Sequence, residues 1–214
     1  TDTRPSGLER TREKADKPFV LASNGQSPAK LVILADSELV TNAADWLNQY
    51  MHQVAGTTLE RIPVDQMLPG GRYLVAAVGE QNAIALQPVA LRSLHIEPLV
   101  GPQGFVIQRL SDPDNRQLLV CWSPSELGCR YGLIEILRSL KVEGRTVHTN
   151  IGRIIDHPQF PMRICYLNFA EHLQNAYNPN VLFDVPNNRW SRREWERFID
   201  MISAYRYNVF EFWL

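Results

Sequence analysis

Residues 191–214 read SRREWERFIDMISAYRYNVFEFWL. The opening carries helix punctuation: Ser191 stands as N-cap, Glu194 completes a capping box, and Trp190 and Trp195 sit at staple spacing. Trp195, Phe198, Ile199, Ile202 and Tyr205 recur at three- and four-residue steps, so Ser191–Arg206 is predicted to be a helix with one apolar face. Asn208–Leu214 (NVFEFWL) is an apolar run of strand length. Upstream, Phe160-Pro161 introduces another such run, Met162–Phe169 (MRICYLNF). Strand, helix and strand in this order form a crossover unit, which requires parallel pairing. Two parallel strands do not stand alone in water; they need neighbouring strands and cover on both faces. The segment is therefore expected to open a larger parallel sheet, with the given chain a piece of a longer polypeptide.

Two features of the crossover bear on chemistry. The stretch from Ala170 to Trp190 is about 20 residues, against the roughly 2–6 usual before a crossover helix. Long loops at the carboxyl ends of parallel strands are where barrel enzymes place their binding groups. This one contains Glu171, His172, Gln174, Asn175, Tyr177 and Asp184. Amides, carboxylates and rings together suit a polyhydroxylated sugar, whose hydroxyls need paired donors and acceptors and whose ring faces need a flat partner. The same residue types also enrich in any solvated, turn-rich loop. Along Asn208–Leu214, Val209, Glu211 and Trp213 share one face while Phe210, Phe212 and Leu214 share the other. The purely apolar face is expected against helices, which turns Glu211 and Trp213 toward a barrel interior, with Arg163 as a partner for Glu211. Substrate contact is expected at Arg163, Asn168, Glu171, His172, Glu211 and Trp213.

The preceding residues look like a separate, complete domain. Thr1 to about Ala29 is polar and charged and reads as an arm or linker (1–29) ending in a short extended piece near Phe19–Ala22. Lys30–Ala35 (KLVILA) has strand character. Asp36-Ser37 supplies an N-cap, and Leu39, Val40, Ala43, Leu47, Tyr50, Met51 and Val54 follow at helical spacing until Gly56. Strands are expected at Thr58–Ile62 and Arg72–Val78. Gly104–Leu110 and Gln117–Trp122 flank the turn-forming cluster Ser111–Asn115, the pattern of a hairpin. A second helix is expected with Ser123 as N-cap, Pro124 at its first position and Trp122 stapled to Leu127. Gly128 and Gly132 would let that helix lie close to a sheet. Residues 30–152 are thus expected to form an α/β domain, a sheet with helices packed on it. A linker near Arg145–Gln159 would lead into a barrel start at 153–214.

Composition narrows the function classes. The chain has 214 residues, 44% hydrophobic and 21% charged, with a formal net charge of −1. No basic excess marks a general nucleic-acid binder, and no apolar run approaches the roughly 20 residues of a membrane span. Cys121, Cys129 and Cys165 lack metal-ligand spacing and an even-numbered disulfide framework, and read as inert thiols. His52, His95, His148 and His157 are scattered without ligand spacing, so neither metal nor cofactor is expected.

Gly104-Phe105-Val106-Ile107, followed by a hairpin and by Gly128-Cys129-Arg130-Tyr131-Gly132-Leu133-Ile134-Glu135-Ile136-Leu137, resembles the non-catalytic N-terminal domain of β-N-acetylhexosaminidases and α-glucuronidases. In those enzymes that domain directly precedes a (β/α)8 catalytic barrel. Pro161-Met162-Arg163 is similar to the opening of the first barrel strand, and Tyr205–Val209 to the lead into the second. The hexosaminidase pattern at barrel strand one aligns with Arg163 and His172. It departs at Asn168, where Asp stands in the family, and at Glu171, where Arg stands; an anion there inverts what the position holds. The Trp-Asp pair of α-glucuronidases after this strand is absent. The resemblance implies a TIM-barrel glycoside hydrolase acting on an oligosaccharide or polysaccharide, secreted or periplasmic. It also implies that the carboxylates serving as acid and base lie on later strands. No catalytic residue is therefore expected within these 214 positions, and this chain alone is expected to be inactive. The rival reading is a non-catalytic carbohydrate-binding or interaction protein.

Overall fold

The computed structural model describes residues 11–79, 101–168 and 191–213, with backbone alone at 167–168 and 212–213. The chain divides into two compact units between Pro158 and Gln159.

In the first unit the strands are β1 (Thr11–Ser23), β2 (Ala29–Leu34), β3 (Glu60–Arg61), β4 (Arg72–Val78), β5 (Phe105–Ser111), β6 (Gln117–Ser123), β7 (Lys141–Glu143) and β8 (Thr146–Asp156). The helices are α1 (Glu38–Ala55) and α2 (Glu126–Ser139). Among the described residues these strands form one eight-stranded mixed sheet, ordered β1-β8-β5-β6-β4-β2-β3, with β7 paired to β8. The run β6-β4-β2-β3 is parallel; β5 and β8 join it antiparallel, and β1 closes the far edge antiparallel to β8.

The middle strands carry consecutive apolar residues, such as Tyr73–Ala77 and Leu118–Trp122, because both of their faces are buried there. Leu74 and Ala76 of β4, Phe105 and Ile107 of β5, and Leu119 and Cys121 of β6 belong to the core beneath the helices. Their alternates Tyr73, Val75, Val106, Leu118, Val120 and Trp122 form a second buried cluster. Helix α1 begins where expected: Ser37 Oγ accepts from Val40 N–H, and Gly56 ends the helix in the left-handed region at φ 70°. Asn48 ties the helix to the next loop by accepting from Leu59 N–H (2.8 Å) and donating to Leu59 O (3.2 Å).

The cap of α2 differs from the sequence expectation. Ser125, not Ser123, is the N-cap, its Oγ accepting from Gly128 N–H. Ser123 is fully buried; its hydroxyl donates to Gly104 O (2.7 Å) and accepts from Ser125 N–H (3.1 Å). The expected staple is also absent, since Trp122 and Leu127 lie in different clusters on opposite sheet faces. The glycines do what their spacing predicted. A Cβ at Gly128 would stand 2.2 Å from Ser123 Oγ and 2.3 Å from Gly104 O, and one at Gly132 would stand 2.3 Å from Cys121 Sγ.

Two expectations about the flanks are corrected. The extended piece expected near Phe19–Ala22 is present, but the arm before it is not: residues 11–23 all belong to the edge strand β1, with Phe19, Leu21 and Ala22 fully buried. Its charges hid an anchor, because the guanidinium carbons of Arg72 and Arg109 lie 5.7 and 5.8 Å from the centroid of the Phe19 ring. Arg72 also donates to Val20 O (3.1 Å), and Arg109 to Lys17 O. Burial lowers the affinity of both arginines for their protons, and the charge of Arg109 adds to the effect on Arg72. The expected linker at 145–159 is largely β8, an interior strand that buries Val147, Ile151, Ile154 and Ile155. The first unit therefore runs to Pro158, past the expected boundary at residue 152.

In the second unit, β9 (Ile164–Asn168), α3 (Arg192–Ala204) and β10 (Val209–Trp213) form the expected crossover, with β9 and β10 parallel and in register from Ile164↔Val209 to Asn168↔Trp213. The capping box of α3 is complete: Glu194 N–H donates to Ser191 Oγ (3.4 Å), while Ser191 N–H donates to Glu194 Oε2 (2.7 Å). Hydrogen bonds from the Ser191 hydroxyl and backbone hold the Glu194 carboxyl below the usual carboxylate range.

Gly128→Ala is expected to lower stability by about 2 kcal/mol or more in urea unfolding, because its new methyl meets a backbone carbonyl that cannot rotate away. A hydrogen bond to Cys129, followed by burial, pushes the Cys121 thiol well above its ordinary value. Cys121 should therefore resist an aromatic disulfide reagent at pH 8 until the chain is unfolded, as counted by absorbance.

Candidate functional site

The crossover unit has two ends with different chemistry. At the amino ends of its strands, polar groups are spent on holding the backbone. Arg163 N–H donates to Asn208 Oδ1 (2.8 Å), Asn208 Nδ2 donates to Pro161 O (2.7 Å), and Arg163 O accepts from Asn208 N–H (3.1 Å) and Val209 N–H (3.2 Å). The Arg163 guanidinium donates through Nε to Arg206 O (2.6 Å) and through Nη1 to Phe160 O (2.6 Å). Arg206 occupies the left-handed region at φ 67°. Arg206 N–H bonds Ser203 O (2.9 Å) and Tyr207 N–H bonds Ile202 O (3.0 Å), the two bonds of a Schellman ending for α3. Arg163 thus fastens the turn after α3 to the start of β9.

The faces of the two strands follow the expected alternation. Phe210 packs on α3, its ring centroid 5.8 Å from that of Phe198 and 6.2 Å from that of Trp195. Glu211 pairs in register with Tyr166, one step out of phase with Phe210, and both residues are exposed. Tyr166 escaped sequence reasoning; the i, i+2 parity of MRICYLNF against NVFEFWL would have found it. The ion pair expected between Arg163 and Glu211 is not formed. The register sets them three residues apart, about 10 Å along the strand, and the guanidinium is aimed at backbone carbonyls instead.

At the carboxyl ends, Asn168 and Trp213 are register partners, continuing the row of Tyr166 and Glu211. The structure therefore brings Asn168, Glu211 and Trp213 together in one row. It leaves Arg163 about 16 Å away at the opposite end of the strand pair. Glu171 and His172 lie outside the described residues.

No protein-family model and no curated protein sequence matches the chain, whereas solved structures do. The GH20 β-N-acetylhexosaminidase from Streptomyces coelicolor A3(2) superposes with a TM-score of 0.57 at 17% identity, covering 97% of this chain and 33% of that one. A family GH115 4-O-methyl-α-glucuronidase with specificity for decorated arabinogalactans gives 0.55 at 15% identity, covering 91% and 26%. The GH20 exo-β-N-acetylglucosaminidase from Vibrio harveyi, solved in complex with N-acetylglucosamine, gives 0.53 at 16% identity, covering 96% and 27%. The chain has the fold of the N-terminal region of these glycoside hydrolases and spans about a third of their length or less. Among the described residues, no helix is long and apolar enough to cross a membrane.

Asn208→Ala deletes one acceptor and one donor at the amino ends. We expect a loss of about 1–2 kcal/mol in the second unit, read as faster hydrogen exchange at the Arg163 amide with exchange in α2 unchanged.

Proposed function

We propose that this chain is the front part of a glycoside hydrolase, an α/β scaffold domain followed by the first β-α-β of a (β/α)8 catalytic barrel. The supporting observation is an order of elements. A mixed sheet bearing two helices on one face is followed by a parallel strand-helix-strand unit, and the whole aligns with the opening third of GH20 enzymes. In such a barrel the carboxyl ends of β9 and β10 face the substrate, so Asn168 and Trp213 meet the sugar first, with Glu211 deeper in the same row. Glu171 and His172 follow β9 directly and belong to the same pocket. An indole supplies a flat apolar partner for a sugar ring, and Asn168 pairs with hydroxyls as both donor and acceptor. Arg163 has the positioning role its hydrogen bonds describe. The acid and base belong to later strands, so the 214 residues bind or frame substrate without cleaving it. The substrate is an oligosaccharide or polysaccharide, and its nature places the enzyme outside the cell or in a periplasm.

The polypeptide carrying this sequence should hydrolyse at least one member of a panel of aryl N-acetylhexosaminides, glucuronides and hexosides, whereas residues 1–214 alone should hydrolyse none. Trp213→Ala should raise KM about tenfold, the loss of one stacking contact. Inactivity of the full polypeptide on the whole panel, with no carboxylate on its fourth barrel strand, would overturn the reading in favour of a binding protein.

A further inference from the structure

We draw no further inference here: the strongest candidate, the surface patch of exposed Phe160, Met162, Tyr205 and Tyr207 just before the amino ends of β9 and β10, carries none because nothing in the structure shows what covers it.

Discussion

Helix α2 lies so close to the sheet that two of its positions have room for no side-chain atom. Gly128 sits over the Gly104 carbonyl and the Ser123 hydroxyl, and Gly132 sits over the Cys121 sulfur. This contact couples three parts of the chain. Ser123 ends β6, Gly104 precedes β5, and the Ser123 hydroxyl joins them while also accepting from the residue that caps α2. With the β5–β6 hairpin and α2 locked to one another, the sheet acquires a covered face, and its middle strands can be apolar on both sides. Helix α1 then packs beside α2, where Arg130 lies 4.6 Å over the ring of Trp46. A guanidinium buried between helices is tolerable there because the indole face compensates part of its lost hydration.

The polar margin of the sheet obeys a different rule. An edge strand with free backbone groups invites pairing with other chains, and charge is the usual deterrent. β1 carries Arg12, Glu13, Lys14, Asp16 and Lys17 in its first half and places its apolar residues, from Phe19 onward, in the second. The first half is soluble and bulged; the second is nailed down by Phe19 between two arginines. The detour of the strand between Lys14 and Phe19 follows from this division, since the charged residues gain nothing from burial and the apolar ones lose by leaving it.

The two strand ends of the crossover unit differ in their chemistry. Its amino ends are consumed by backbone-directed hydrogen bonds from Arg163 and Asn208, so little polar capacity remains there for a ligand. Its carboxyl ends carry the register partners Asn168 and Trp213. A parallel arrangement makes this separation natural, because every strand points the same way and all following loops collect at one side. The likeness to GH20 and GH115 enzymes concerns the fold alone.

Elements whose signals are local were legible in the residues. The start of α1 at Ser37, its end at Gly56 and the capping box of Ser191 and Glu194 depend on atoms within four positions, and sequence order supplies those neighbours directly. The parity of Val209–Trp213 was equally plain, because strand alternation needs no partner to be counted. What depended on distant partners was not legible. Residues 11–14 resemble part of a solvated arm until β8 arrives to pair with them, and the Thr146–Asp156 stretch shows no continuous apolar run although it lies between two strands. The choice of Ser125 over Ser123 as cap was made by a carbonyl at Gly104, 19 residues before Ser123. The role of Arg163 was hidden for the same reason. Its acceptors are the backbone oxygens of Phe160 and Arg206, every residue carries such an oxygen, and only the folded chain determines which of them come within reach.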